Sequence, residues 1–144
     1  MNLDFQVNAR WSGVGKNGEG RMQLGDQSIP YSAPANMGGK GIGASPEDLL
    51  LSAVTACYSG TLRGVLAHAK LPCDTVAIRT DGVVEGFPEE ARFARITVNP
   101  TIQGGDSNRQ AEYIEAAQAA RDRCFIGRTV RDSLDYAVGE VTVE

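Results

Sequence analysis

Two cysteines, Cys57 and Cys124, are the side chains of this sequence best suited to nucleophilic chemistry, because a thiolate attacks oxygen or sulfur readily. Cys57 lies inside a long apolar run, where a cysteine is usually an inert small hydrophobic residue, and a thiolate there would need a cation from elsewhere in the chain. Cys124 begins a short predicted helix, whose free backbone N–H groups would favour its thiolate. Packing and reactivity therefore both stay open. Cys73, which follows Pro72 and has no charged partner in view, is interpreted as structural.

The composition limits the class of protein. A chain of 144 residues predicts a single domain over residues 1–144. Its net charge of -4 argues against nucleic acid or an anionic membrane as a partner. We find no apolar run as long as a bilayer span and no secretory signal, so we expect a soluble, cytoplasmic protein. The 3 cysteines do not suggest a disulfide framework and are interpreted as free thiols.

A long helix, predicted from Ser45 to about Lys70, must position Cys57. Ser45 and Asp48 have the spacing of a capping box, Pro46 suits the first helical position, and Glu47 adds negative charge at the positive end of the helix. These signals place the start of the helix.

The same helix is apolar or small on every face from Leu49 to Cys57, so all of its sides must be covered. Gly60 and Gly64 lie one turn apart, which makes sense if another backbone approaches there. We therefore expect a homodimer with paired central helices.

The remaining pattern predicts strands, a glycine-rich functional loop over 32–43, and two further helices. Helix 108–121 is predicted to begin with a Ser107–Gln110 capping box and to present Ala111, Ile114, Ala117 and Gln118 on one face. The order of elements predicts an α+β fold with antiparallel sheet. The predicted strands are 2–11, 21–24, 28–32, 73–84, 93–103 and 136–143, and the last predicted helix is 124–134.

The stretch from Gly41 to Leu50 (GIGASPEDLL), followed by Ala56-Cys57 in the same helix and by Cys124 opening a short helix, resembles the OsmC/Ohr family of thiol-dependent hydroperoxide reductases. The resemblance covers essentially all 144 residues. It implies an OsmC/Ohr-like fold with antiparallel sheets packed around a long central helix. It also implies an intertwined homodimer with active sites at the dimer interface.

The resemblance further implies a two-cysteine peroxidase that uses no metal or haem. Cys57 matches the cysteine that attacks the peroxide, and Cys124 matches the resolving cysteine that forms a disulfide with it. Glu47 matches the carboxylate that holds a basic residue over the reactive sulfur. The implied substrates are alkyl or fatty-acyl hydroperoxides, and the implied reductant is an external dithiol, such as a dihydrolipoyl group, or a small thiol. The candidate apolar residues around the substrate are Leu50, Val54, Phe125 and Ile126.

The chain departs from the family pattern in two places. Lys16 stands where relatives carry an arginine, and a lysine lacks the planar fork that binds a carboxylate in bidentate fashion. Arg21 and Lys40 are possible stand-ins for that arginine. Cys124 is followed by Phe-Ile-Gly, where many relatives have Pro-Val-Ser.

Several alternatives stay open. Arg128 and Arg131 could attract an anionic substrate tail, although solvated charges are the default interpretation. His68, the single histidine of the sequence, suits the negative end of the central helix. The spacing of the cysteines and this histidine does not resemble a zinc site. The competing functions are a non-enzymatic protein that binds a small apolar ligand, and a thiol redox sensor, which needs an exposed Cys57 or Cys73.

Overall fold

The structure is a computed structural model that describes residues 1–144. The contacts within the chain divide it into two units, Met1–Leu50 and Leu51–Glu144. This division does not test the prediction of one domain over residues 1–144, which stays a prediction.

Three antiparallel strands form the sheet of the first unit. They are β1 (Asn8–Ser12), β2 (Glu19–Leu24) and β3 (Gln27–Tyr31), and they lie in the order β1-β2-β3. A 3₁₀ turn at Gly15–Asn17 lies between β1 and β2. The two predicted strands at 21–24 and 28–32 are confirmed to within two residues.

The first strand is shorter than the predicted span of residues 2–11. Asn8 pairs with Gln23, and β2 ends at Leu24, so the residues before Asn8 have no strand opposite them. A strand without a ladder partner leaves its backbone groups to water, and the alternating apolar pattern alone does not hold it in place. Three apolar side chains of this segment consequently lie exposed: Leu3, Phe5 and Val7.

The predicted loop over 32–43 is confirmed and is fixed by its own hydrogen bonds. The hydroxyl of Ser32 donates to the carbonyl of Ile42 (2.9 Å) and accepts from the amide of Ile42 (2.8 Å). A single 3₁₀ turn, Ala35–Met37, lies within the loop. The loop therefore closes on itself just before the central helix.

The central helix α1 spans Pro46–His68 and begins with the predicted capping box. The amide of Asp48 donates to the Ser45 hydroxyl, and the amide of Ser45 donates to the Asp48 carboxylate, both at 3.0 Å. At the other end, Lys70 has a φ of 56° and the amide of Leu71 donates to the carbonyl of Leu66. This pattern is a Schellman motif in which lysine occupies the position that usually belongs to glycine.

Within this chain α1 is covered on one side. Its fully buried residues form a stripe at four-residue spacing: Val54, Tyr58, Leu62 and Leu66. Ala53, Ala56 and Gly60 are exposed, and no atom lies within 4 Å of a Cβ built on Gly60 or Gly64. The expectation that one chain does not cover this helix is confirmed.

The helix α1 is also long and apolar enough to cross a membrane by length and composition. This corrects the expectation that no segment reaches that length. Core helices of soluble proteins meet the same criterion, and the buried stripe of α1 is typical of such a helix.

The second unit contains a sheet built around one long hairpin. Strands β4 (Thr75–Glu85) and β5 (Arg92–Gln103) pair antiparallel, with a bulge at Val83/Val84, as the sequence predicted. The half-buried residues Val76, Ile78 and Thr80 share the predicted face of β4. On the exposed face of β4, at the edge of the sheet, Arg79 and Asp81 form an ion pair of 3.2 Å.

The end of the chain differs from the prediction. The single strand expected over 136–143 is two short strands, β6 (Asp135–Val138) and β7 (Thr142–Val143), and both run parallel to β5. Two helices separate β5 from β6, and a connection of that length allows the chain to return in the same direction. The sheet is therefore mixed, while the α+β class is confirmed.

The two helices between β5 and β6 are α2 (Gln110–Arg123) and α3 (Phe125–Val130). The Ser107–Gln110 capping box does not form; instead Asp106 accepts a hydrogen bond of 3.0 Å from the amide of Asn108 and a 3₁₀ turn precedes α2. The helix predicted over 124–134 ends at Val130.

The buried face of α2 is also not the predicted one. It consists of Tyr113, Ala116, Ala117 and Ala120, whereas Ile114 is 43% exposed. The Tyr113 hydroxyl anchors this face by donating to the carbonyl of Pro72. A second tyrosine joins α1 to α2, since the hydroxyl of Tyr58 donates to the carbonyl of Ala117 (3.0 Å).

Candidate functional site

The structure brings Cys57 and Cys124 together. Cys57 is half-buried on the middle of α1, and Cys124 is 1% exposed at the junction of α2 and α3. Both are free thiols, and their side chains interact closely enough that each shifts the pKa of the other. The second unit alone therefore positions the two predicted redox cysteines as neighbours.

The chain bends at Cys124 in a way that turns amide groups toward the sulfurs. The amide of Cys124 makes the last hydrogen bond of α2, to Ala120, and the carbonyl of Cys124 accepts the first one of α3, from Arg128. The amides that follow, those of Phe125 and Ile126, have no helical partner and are directed at the Cys57 sulfur. The residue at this bend thus both supplies one thiol and orients the donors for the other.

The surroundings lower the pKa of the Cys57 thiol. Burial alone would raise it, but the Cys124 side chain, the Ile126 amide, the Thr61 hydroxyl and the Phe125 amide together outweigh burial. All of these groups are neutral and favour the thiolate through hydrogen bonding, although in the structure the Thr61 hydroxyl donates to the Cys57 carbonyl at 2.8 Å. Neutral groups of the chain thus lower the pKa of Cys57 without a cation, and the expectation that a thiolate at Cys57 also needs a cation stays a prediction.

The pKa of the Cys124 thiol moves in the opposite direction, to about 11. Burial is the main cause and the hydrogen bond with Cys57 is the next, while the amides of Gly127 and Ile126 offset them in part. The amides at the start of α3 act on the pKa of Cys124 in the expected direction, but burial and the interaction with Cys57 outweigh them, so the pKa is raised and not lowered. Cys124 stays protonated and donates toward the Cys57 sulfur.

The predicted charged residues lie in the first unit and do not pair with one another as expected. Lys16 is exposed on the Gly15–Asn17 turn, and the Cδ of its side chain lies close to Gly38. The guanidinium of Arg21 donates to the hydroxyl and carbonyl of Ser28 at 3.2 and 3.1 Å. Lys40 makes a weak ion pair of 3.8 Å with Glu19.

Glu47, in the first turn of α1, has a buried carboxylate oxygen, Oε1, that no group of the chain hydrogen-bonds. Burying an ionised oxygen without a partner is costly, so such an oxygen marks a place where a donor belongs. None of Lys16, Arg21 and Lys40 fills that place in this chain.

The other predicted residues are peripheral to the thiol pair. Burial raises the pKa of Cys73, whose Sγ lies 3.5 Å from the carbonyl of Thr75. His68 ends α1 as expected. Arg128 and Arg131 lie at the end of α3 and are exposed.

Sequence reasoning missed one residue beside the thiols. Thr61 lies four residues after Cys57, so the helical repeat alone places its hydroxyl on the same face, and that signal could have been used.

Comparison with known proteins places the chain in a family. The family model described as "OsmC-like protein" matches residues 38–138. A curated relative, the uncharacterized protein YmaD of Bacillus subtilis, is 24% identical over 134 residues, which is 91% of this chain and 89% of that protein.

Solved structures agree with this result. An OsmC-like protein from Mycoplasma pneumoniae has a TM-score of 0.77 at 18% identity, covering 99% of both chains. An organic hydroperoxide resistance protein OsmC from Legionella pneumophila has a TM-score of 0.73 at 22% identity, covering 98% of this chain and 99% of that chain. An organic hydroperoxide resistance protein from Elizabethkingia anophelis has a TM-score of 0.74 at 20% identity, covering 100% of both chains. At these identities the structures establish a shared fold, and the family match over residues 38–138 shows that this chain belongs to the OsmC-like protein family.

Proposed function

We propose that this protein is a thiol-dependent peroxidase that reduces organic hydroperoxides to alcohols. The observation that supports it most directly is the placement of two free thiols as neighbours, Cys57 on α1 and Cys124 at the junction of α2 and α3. Their surroundings lower the pKa of Cys57 and raise the pKa of Cys124, in keeping with these roles. A nucleophile must be a thiolate, and a resolving thiol must keep its proton until it is needed. Membership of a family that includes hydroperoxide resistance proteins supports the same redox role.

The reaction has two chemical steps. In the first, the Cys57 thiolate attacks the terminal peroxide oxygen, an S–O bond forms, the O–O bond breaks, and the alkoxide takes up a proton and leaves as the alcohol. In the second, the Cys124 sulfur attacks the Cys57 sulfenic acid, a disulfide forms, and the hydroxyl group leaves as water with the proton of Cys124. An external dithiol then returns two electrons and two protons to the pair. The cycle uses no metal or haem.

A cation near the reacting oxygens would stabilise the alkoxide as its charge develops. We assign Glu47 the task of holding that cation, because its buried oxygen lacks a donor in the single chain. Lys16 is the residue whose position matches the family's arginine, and Arg21 is less available because Ser28 already occupies its guanidinium. We propose that a second copy of the chain completes this ion pair.

The proposed homodimer also accounts for the exposed side of α1. Ala53, Ala56, Gly60 and Gly64 present little side chain, and open space surrounds both glycines. Small residues let two helix backbones approach closely. Pairing of this face between two copies would bury it, which is in keeping with a soluble, cytoplasmic protein.

The substrate preference follows from the apolar side chains next to Cys124. Phe125 is exposed and Ile126 is half-buried, so both can contact an alkyl group, whereas Val54 is fully buried in the core and cannot. Leu50 lies half-buried in the first unit. An apolar surface beside the thiols would favour an alkyl or fatty-acyl hydroperoxide over hydrogen peroxide.

The test is to count free thiols and measure the intact mass before and after one equivalent of cumene hydroperoxide, with hydrogen peroxide as the comparison. We expect the loss of two thiols, a disulfide between Cys57 and Cys124, and a faster reaction with the organic peroxide. The Cys73→Ser variant is the matched control and should behave as wild type. Unchanged thiols and mass in the wild type would refute the peroxidase and favour a protein that only binds apolar ligands.

A further inference from the structure

Two arginines of the first sheet lie directly opposite each other. Arg10 of β1 is the register partner of Arg21 of β2, so both side chains leave the same face of the sheet. Like charges at directly opposite positions destabilise a sheet, and no carboxylate of the chain forms an ion pair with either guanidinium. The sheet therefore holds two positive charges together without supplying the anion that would balance them.

The same two arginines line a cavity of about 460 Å³. This volume falls in the range of small-molecule pockets, and all of the lining residues belong to the first unit. Two apolar residues, Pro30 and Ile42, line the cavity as well. The cavity therefore combines cationic hydrogen-bond donors with an apolar surface.

The apolar side of the cavity is held in place by the backbone. Pro30 of β3 is the register partner of Arg21, so it shares the face of the arginines. The loop before α1 lies against this proline, because a Cβ on Gly43 would fall 2.8 Å from the proline Cγ. Ile42 is 41% exposed, although the Ser32 hydroxyl fixes both its amide and its carbonyl. An exposed isoleucine on a fixed backbone offers apolar surface that a ligand can cover.

The two guanidinium groups are prepared to different degrees. Arg21 donates from Nε and Nη2 to the hydroxyl and the carbonyl of Ser28, at 3.2 and 3.1 Å, which fixes its plane and leaves Nη1 free. A guanidinium fixed in advance loses little side-chain entropy when it binds an anion. Arg10 is exposed, so its N–H donors are available. Arg21 thus supplies a fixed donor, and Arg10 supplies a free fork for the same anion.

The charge around the cavity is positive. Glu19 is the one carboxylate among the lining residues, and Lys40 forms an ion pair of 3.8 Å with it. Arg10, Arg21 and Lys40 thus outnumber Glu19 in a protein whose net charge is -4. The excess of cations attracts an anion to this face, although the net charge of the protein does not.

We propose that this cavity binds a carboxylate that carries an apolar chain. The carboxylate oxygens accept hydrogen bonds from Arg10 and from the free Nη1 of Arg21, because a guanidinium fork matches a planar carboxylate. The apolar chain covers Pro30 and Ile42. A small inorganic anion would use the arginines and leave this apolar surface exposed. The site does not depend on the proposed peroxidase function.

The test titrates the full-length protein with octanoate and follows its backbone amides by NMR, in a buffer whose only other anion is dilute chloride. We expect saturable shifts of the amides in β1, in β2 and at Ile42, with the amides of α2 and α3 unchanged. Acetate lacks the chain and 1-octanol lacks the charge, so each should bind about tenfold more weakly or worse. Octanoate contains no peroxide, so the measurement is independent of the thiol chemistry.

The Arg10→Gln variant tests the assigned donor. It should weaken octanoate binding about tenfold, the lower end of what a hydrogen bond to a charged group contributes. Arg79→Gln removes an exposed strand arginine of the second unit, so it is the matched control and should leave the affinity unchanged. Because Arg10→Gln also removes a like-charge repulsion, it should unfold at no lower denaturant concentration than wild type.

Several results would overturn the carboxylate site. Saturable shifts that are absent from the first unit, or wild-type affinity in Arg10→Gln, would remove the site itself. Equal binding of 1-octanol would remove the role of the arginines, and equal binding of acetate would remove the role of the apolar surface. A loss of stability in Arg10→Gln would assign Arg10 to the fold instead. If octanoate fails to bind while cumene hydroperoxide still oxidises the thiols, this proposal fails and the peroxidase stands.

Discussion

The thiol pair of the second unit and the charged residues of the first unit differ in how far a single chain completes them. Cys57 finds all of its hydrogen-bond donors within the chain, from Thr61, Cys124 and the two amides of the bend. Glu47 has a buried oxygen with no donor, although its unit contains exposed cations. In the proposed mechanism, one chain would therefore prepare the nucleophile by itself, whereas placing a charge over the peroxide would require the proposed dimer.

The largest expected effect comes from removing one thiol of the pair. Cys57→Ser should abolish the consumption of cumene hydroperoxide, since a serine hydroxyl does not ionise near neutral pH. Cys124→Ser should still consume one equivalent and stop at the sulfenic acid, because only the second step needs the second sulfur. The measurement is peroxide consumed per chain, and multiple turnovers by Cys57→Ser would rule out its role as nucleophile.

Removing the charge of Glu47 tests the other half of the comparison. Glu47→Gln should slow peroxide reduction by about tenfold, which is typical of losing a partner that orients a reactive group. Alkylation of Cys57 by the neutral reagent iodoacetamide should stay at the wild-type rate, because the donors to its sulfur lie in the second unit. Glu85→Gln, an exposed glutamate of β4, is the control. Equal losses in both assays would mean that Glu47 also prepares the thiolate.

The pH dependence of alkylation tests the thiol pair by itself. The pKa of Cys57 is lowered and that of Cys73 is raised, so alkylation of Cys57 should begin at a lower pH. Thr61→Val removes one donor, so it should shift the Cys57 profile to higher pH and reduce its alkylation rate a few-fold at pH 7, while Cys73 is unaffected. A profile for Cys57 that does not move in Thr61→Val would contradict the assigned hydrogen bond.

The smallest effect should follow from the cap that fixes the start of α1. Ser45→Ala removes one of the two capping hydrogen bonds and should lower the free energy of unfolding by about 1 kcal/mol. Chemical denaturation measures this loss. Cys57 lies three turns away, so its alkylation should not change; a changed rate would show that the two regions are coupled through the helix.

Features that depend on neighbours in sequence were predictable. The Ser45–Asp48 capping box and the β4–β5 hairpin rest on spacings of a few residues, and both are confirmed. The bounds of α1 also follow from local signals. These interactions form between residues that the chain already holds close together, so the sequence pattern contains most of what decides them.

Features that depend on distant residues were not predictable in the same way. The parallel pairing of β6 and β7 with β5 is a choice of partner that no local pattern encodes. The predicted buried face of α2 is wrong because the real one contains three alanines, and alanine is common at both exposed and buried positions. In the site, the resemblance selected the roles of the two cysteines, but the direction of each pKa shift depends on burial and hydrogen bonding that only the folded chain provides.

The open edge of the second sheet has a consequence for solubility. The strand β4 has β5 on one side only, so its outer row of backbone groups could template pairing with another chain. Arg79 and Asp81 carry charges on the exposed face of that strand, and such charges discourage edge-to-edge aggregation. The charges on β4 therefore discourage open-ended association through the edge of the sheet. The exposed apolar face of α1 stays available for pairing in the proposed homodimer.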